Sequence, residues 1–117
     1  MAKILIVEDD LDSMAIAKEI CESDGHECIT AENGLEALKL VDAEMPDLIL
    51  MDLMMPVMDG YEATRRIKEK YKKIIVVALT AKVMEDDIKV GIAAGCDGYV
   101  YKPYDPKKLL DYINAFF

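Results

Sequence analysis

The sequence predicts an α/β domain: a doubly wound, five-stranded parallel sheet with helices on both faces. Three observations predict it. Short β-rich runs alternate with helical segments through all 117 residues, in five strand-then-helix units. Three of the β-rich runs are continuously apolar instead of alternating, as expected of parallel strands covered on both sides. The helical segments carry recognisable start and stop residues. Right-handed crossovers between such units place all strand ends on one edge.

The expected strands are KILIV (3–7), ECITA (27–31), LILM (48–51), IIVVAL (74–79) and GYVY (98–101). In the first helix Met14, Ala17, Ile20 and Cys21 share a face, and Gly25 ends it. The second opens on Asn33 with Glu36 three residues on, resembling a capping box, and turns Leu35, Leu38 and Val41 inward. The third repeats the device with Asp59 and Glu62. A fourth, about 82–94, has Glu85, Asp86 and Asp87 near its positive end and closes at Gly95. The fifth uses Asp105 as cap and Pro106 at its first position, then buries Leu109, Leu110, Ile113 and Phe116.

Composition narrows the class. A chain of this length buries roughly two-thirds of its unfolded surface as one domain. The formal net charge of −9 argues against nucleic acid as a direct partner, and the basic run RRIKEKYKK (65–73) reads as a solvated helix face. No apolar run approaches a membrane span, and Met1-Ala2-Lys3 leads into no cleavable signal, so no membrane insertion is expected. Cys21, Cys28 and Cys96 are odd in number and form no CxxC, as expected of reduced thiols in a cytoplasmic protein.

In open parallel sheets, sites form outside the carboxyl ends of the strands. Here strand one runs into Glu8-Asp9-Asp10, strand three into Asp52, strand four into Thr80 and strand five into Lys102-Pro103. Strand two offers only Glu32-Asn33, which serve the next helix. Taken singly, most have plain uses: Asp10 or Asp12 as a cap, Thr80 as a cap, Lys102 as a surface lysine. Asp52 has none, because Asp59 already caps the helix that follows. Two carboxylates about 4 Å apart repel by roughly 1 kcal/mol in water and about 4 kcal/mol at a protein-like dielectric. Glu8, Asp9 and Asp52 together therefore call for a cation, and few hard oxygen donors suit Mg2+. With a lysine and a hydroxyl added, the set resembles half of a phosphoryl-transfer centre. Its missing piece is a nucleophile, and Asp52 can serve, since carboxylates form aspartyl-phosphates; the metal and Lys102 would stabilise the transferring group.

Four motifs in order, IVEDD (6–10), LILMDLMMPVMDG (48–60), ALTA (78–81) and YVYKP (99–103), resemble those of response-regulator receiver domains similar to CheY. The resemblance spans the chain and implies strand order 2-1-3-4-5, the CheY-like and flavodoxin-like arrangement. It makes Asp52 the phosphoacceptor. Mg2+ would be held by Asp9, Asp52 and the backbone carbonyl of Met54, with Glu8 reaching it through water. Lys102 would contact the phosphoryl oxygens, with a cis bond to Pro103. Thr80 and Tyr99 would be the coupled switch pair; apart from its motif, Tyr99 would read as a sheet-edge aromatic. The Met54 side chain would overhang the phosphoryl site, where an apolar group cannot position attacking water, so autodephosphorylation should be slow.

The implied function is two-component signal transduction. Asp52 takes a phosphoryl group from a sensor histidine kinase or histidine phosphotransfer protein, and the face of helix four, strand five and helix five changes its binding to an unidentified downstream partner. Such a domain catalyses its own phosphoryl transfer and autodephosphorylation and no other reaction. The chain ends at Phe117 after helix five, which leads us to expect a stand-alone receiver over 1–117 with no output domain. Three rivals share parts of this pattern. An FMN-binding flavodoxin-like protein would need a glycine- and hydroxyl-rich phosphate cradle where EDDLDS stands. A haloacid dehalogenase-type hydrolase would need a second acid at the position of Met54. A never-phosphorylated binding module would not need the full set of groups.

Overall fold

The computed structural model describes residues 2–53, 58–80 and 95–117. The chain runs β1 (Lys3–Val7), α1 (Leu11–Ser23), β2 (Glu27–Ala31), α2 (Gly34–Glu44), β3 (Leu48–Asp52), α3 (Gly60–Lys70), β4 (Ile75–Thr80), β5 (Gly98–Tyr101) and α4 (Pro106–Asn114). The strands form one sheet in the order β2-β1-β3-β4-β5, and every neighbouring pair is parallel. The helix expected at 82–94 lies outside the described residues. Gly95, expected to close it, has φ +102°, a left-handed conformation that favours glycine.

The caps are those expected. Asp10, not Asp12, caps α1 by accepting the Asp12 N–H. Asn33 accepts the Glu36 N–H at 2.8 Å, while the Glu36 carboxylate takes the N–H of Glu32, one residue before the cap. Asp59 accepts from Glu62 N at 2.9 Å, and Asp105 caps α4 with Pro106 at its first turn.

Strand alternation feeds two cores. Ile4, Ile6, Leu48, Leu50, Val77 and Leu79 pack with Met14, Ala17 and Cys21 of α1 and Leu109 and Ile113 of α4. Leu5, Val7, Ile49, Met51 and Val76 pack on the other face with Ala37 and Val41 of α2 and Ala63 and Ile67 of α3. All five residues of β3 are buried, as its continuous apolar run predicts.

Three expectations need correcting. Leu35 faces outward at 44% exposure, and Leu38 is only half-buried; α2 buries Gly34, Ala37 and Val41 instead. Gly34 sits 3.1 Å, measured from a Cβ built on it, from Ala63 of α3, so the two helices approach through small residues and Leu35 is rotated out. Leu110 and Phe116 are half-buried, at the margin of the α4 core. Finally, β3 runs one residue further than expected and β4 is shifted by one, to Ile75–Thr80, making Asp52 and Thr80 the last residues of their strands.

Candidate phosphoacceptor site

Alternation determines which strand-end groups can meet. Ile4 and Ile6 point to the α1–α4 side, so Glu8, two residues on, points there too. Asp52 follows Leu48 and Leu50 in the same way, and Lys102 follows the half-buried Val100. Register aligns the edge: Val7 pairs with Met51 and Met51 with Ala78, so Glu8 and Asp52 are each one residue beyond the same row.

The three acids converge. One carboxylate oxygen from each of Glu8, Asp9 and Asp52 lies within 4.8 Å of the others. Glu8 and Asp52 are buried, at 3% and 7% exposure, and Asp9 is exposed. Lys102 enters this cluster as a counter-charge, with Nζ 2.6 Å from Glu8 Oε2 and 3.8 Å from Asp52 Oδ2. Burial alone would lower the Lys102 pKa, but the Glu8 hydrogen bond and the Asp52 and Glu8 charges outweigh it and raise it. One ammonium against three carboxylates leaves the site negative, and crowded hard oxygen donors fit Mg2+. Met54, whose carbonyl was expected to complete the metal set, lies outside the described residues.

Backbone contacts hold the groups in place. Glu8 N–H donates to Ala31 O at 3.0 Å and Asp10 N–H to Glu8 Oε1 at 3.4 Å. Leu53 N–H donates to Leu79 O at 3.3 Å, continuing the β3–β4 pairing past Asp52. Lys102 N–H donates to Thr80 O at 2.8 Å, tying the lysine's segment to that of the buried Thr80. The Lys102–Pro103 peptide is cis. Tyr99 is half-buried on β5, opposite Ala78 of β4.

Two neighbours were not singled out from the sequence. Gly60 opens α3 against the back of the site: a Cβ there would collide with the Asp52 carbonyl oxygen and lie 2.7 Å from Leu53 Cα. The only available signal was a glycine directly after a cap, which is too common to be informative. Tyr104 packs against the α1–α4 core, and burial raises its phenol pKa, with Lys102 opposing and Glu8 reinforcing the shift. No local pattern marks it.

Comparison with known proteins adds to this geometry. Residues 4–114 match the family described as the response regulator receiver domain. The chain belongs to that family. It is a receiver domain of two-component signal transduction. It is 36% identical over 113 residues to the alkaline phosphatase synthesis transcriptional regulatory protein PhoP of Bacillus subtilis, covering 97% of this chain and 47% of PhoP. The chain thus spans about half the length of that curated relative. Among solved structures, chemotaxis protein CheY4 of Vibrio cholerae superposes with TM-score 0.96 at 30% identity, covering 100% of this chain and 99% of CheY4. The receiver domain of the sensor histidine kinase PA1611 of Pseudomonas aeruginosa superposes with TM-score 0.91 at 29% identity, covering 97% of this chain and 95% of that one. That receiver has a magnesium ion coordinated in its active-site cleft. In this chain Cys21, Cys28 and Cys96 are unpaired, and among the described residues no helix is long and apolar enough to cross a membrane.

Proposed function

We propose that Asp52 accepts a phosphoryl group from a phosphohistidine on a sensor histidine kinase or histidine phosphotransfer protein. One observation carries this reading: Glu8, Asp9, Asp52 and Lys102 meet at the carboxyl edge of a parallel sheet. An Asp52 carboxylate oxygen attacks phosphorus, the P–N bond breaks, and the imidazole leaves with the electron pair. Asp9, Asp52 and the Met54 carbonyl, with Glu8 acting through water, would hold Mg2+, which when bound would neutralise charge on the phosphoryl oxygens. Lys102 supports one of those oxygens through its ammonium, and burial of Asp52 keeps the charge–charge terms strong.

The new phosphate gains a partner in the Thr80 hydroxyl, and Tyr99 follows, shifting the face that includes β5 and α4 between two conformations for a downstream protein. The donor protein has apolar surface to use beside the site, where Leu11 and Ile16 are 61% and 54% exposed. Ser13, Ile16, Lys102, Pro103 and Tyr104 line a groove there. The apolar Met54 side chain cannot orient water, so the phosphorylated form is lost slowly; Met54→Asn shortens its lifetime.

Incubation of wild type and Asp52→Asn with a small phosphodonor and Mg2+, read by intact mass, tests the assignment. Wild type gains one acid-stable, base-labile phosphoryl group and the variant gains none. Equal labelling of both proteins would show that Asp52 is not the acceptor.

A further inference from the structure

Strand β5 is the outer strand of the sheet, and it is held from two sides. On the inner side its flanks bond to β4, through Asp97 N–H to Val76 O and Lys102 N–H to Thr80 O, both 2.8 Å. On the outer side an edge strand ordinarily presents its N–H groups to water or to another chain. Here Tyr112 of α4 reaches over Gly98, and its hydroxyl oxygen accepts the Tyr99 N–H at 3.1 Å. Gly98 is what leaves room for it. A Cβ at that position would collide with the Tyr112 hydroxyl and lie 3.0 Å from two of its ring carbons. The backbone of Gly98 has no left-handed φ, so space and not conformation requires the glycine. The Tyr112 ring also makes an edge-to-face contact with Phe116, at 5.6 Å between centroids.

We propose that Tyr112 is a positioning residue that holds β5 in its resting arrangement and so sets the cost of the switch; this rests on the reading of Asp52 as phosphoacceptor. Thr80 and Lys102 are joined through the backbone bond above, so a Thr80 segment drawn toward a phosphoryl group pulls the end of β5 with it. The hydroxyl of Tyr112 pins that same strand three residues earlier, to a helix that is anchored in the core by Leu109 and Ile113. Movement of β5 strains the pin, and the pin therefore favours the unphosphorylated state. A ligand that selects the switched state binds more tightly once this opposing bond is gone.

The test uses fluoroberyllate, a tetrahedral mimic of a carboxylate-bound phosphoryl group, with excess Mg2+ and the wild-type chain, Tyr112→Phe and Gly98→Ala. The first variant deletes the hydroxyl, and the second displaces it by steric contact. Both should bind fluoroberyllate about two- to fivefold more tightly than wild type, the range one partly exposed hydrogen bond supplies. Amide exchange at Tyr99 should be slow in wild type, faster in Tyr112→Phe, and faster in wild type once fluoroberyllate is bound. A variant that only loosened the fold would shift the urea midpoint without raising affinity, and that result overturns the proposal, as does affinity equal to or weaker than wild type. Tyr112→Phe changes one oxygen, so it decides the matter even if Gly98→Ala fails to fold. If wild type itself fails to bind fluoroberyllate, the phosphoacceptor reading falls and the pin falls with it. If wild type binds and the variants do not differ from it, only the pin is wrong.

Discussion

The two edges of the sheet carry polar side chains for different ends. At the amino edge they stitch backbone together. Asp47 accepts the Lys3 N–H at 2.8 Å, and its own carbonyl accepts from Ile75. Asp97 Oδ2 accepts the Val76 N–H at 2.8 Å and pairs with Lys68 at 2.9 Å, whose ammonium also donates to the carbonyls of Lys72 and Ile74. Buried His26 accepts the Ala2 N–H on Nδ1, which leaves Nε2 to carry the proton toward Asn114 Oδ1. At the carboxyl edge the acids face one another, and one lysine serves Glu8 and Asp52. An acid that satisfies backbone donors stabilises the fold, whereas an acid held among other acids raises the free energy of the empty site and favours a cation. The carboxyl edge also holds structural acids, since Asp10, Asp59 and Asp105 cap helices there; what sets Glu8, Asp9 and Asp52 apart is that their carboxylates face one another.

Substitutions at the two edges should therefore differ in sign. The largest effect belongs to Asp97→Ala, which removes the side-chain acceptor of the Val76 N–H and the counter-charge of the half-buried Lys68; it should cost about 2–3 kcal/mol in urea unfolding. A loss below about 0.5 kcal/mol would deny the amino edge its stitching role. At the other edge, Asp9→Ala should be neutral or stabilising by up to about 1 kcal/mol without divalent metal, because it relieves repulsion. A clear destabilisation there would erase the contrast.

Metal sharpens the comparison further. At ten times its Kd, Mg2+ should stabilise the wild-type chain by about 1.4 kcal/mol, a shift of several degrees in Tm. Asp9→Ala should abolish that shift and Asp97→Ala should retain it; a shift that survives Asp9→Ala would move the ion elsewhere.

A smaller effect is expected at alkaline pH. Burial raises the thiol of Cys21 to about 12 and that of Cys96 to about 11, and Lys102 is also raised by its acid partners. A group with a raised folded pKa holds its proton more tightly folded than unfolded. Its contribution is complete below the unfolded value and is lost as pH rises through the folded one. Stability should accordingly fall above about pH 9, the ordinary thiol range, and the fall should be shallower in Cys21→Ala. An unchanged slope would show that Cys21 is not among the groups responsible.

Most of the fold could be read from the residues themselves because its signals are local. Apolar runs, Asn33, Asp59 and Asp105 as caps, and Pro106 each act within a turn or two of the chain. The site was readable for a related reason: in a parallel sheet every strand end falls on one edge, so Glu8, Asp52, Thr80 and Lys102 could be grouped without any distance between them. Leu35 was misplaced because helical periodicity gives weight to large apolar residues, while α2 and α3 meet through Gly34, Ala37 and Ala63. The Lys102–Glu8 pairing and the Tyr112–Tyr99 bond were beyond reach, since each depends on how elements far apart in sequence settle against each other.

The most direct measurement locates the phosphate itself. The chain is phosphorylated with a small phosphodonor in Mg2+, reduced with borohydride to convert any aspartyl-phosphate to homoserine, and sequenced by peptide mass spectrometry. We predict homoserine at position 52 alone, and none when Mg2+ is withheld. Homoserine at position 9 or 59 with Asp52 intact would contradict the assignment of Asp52 as the nucleophile at the carboxyl edge.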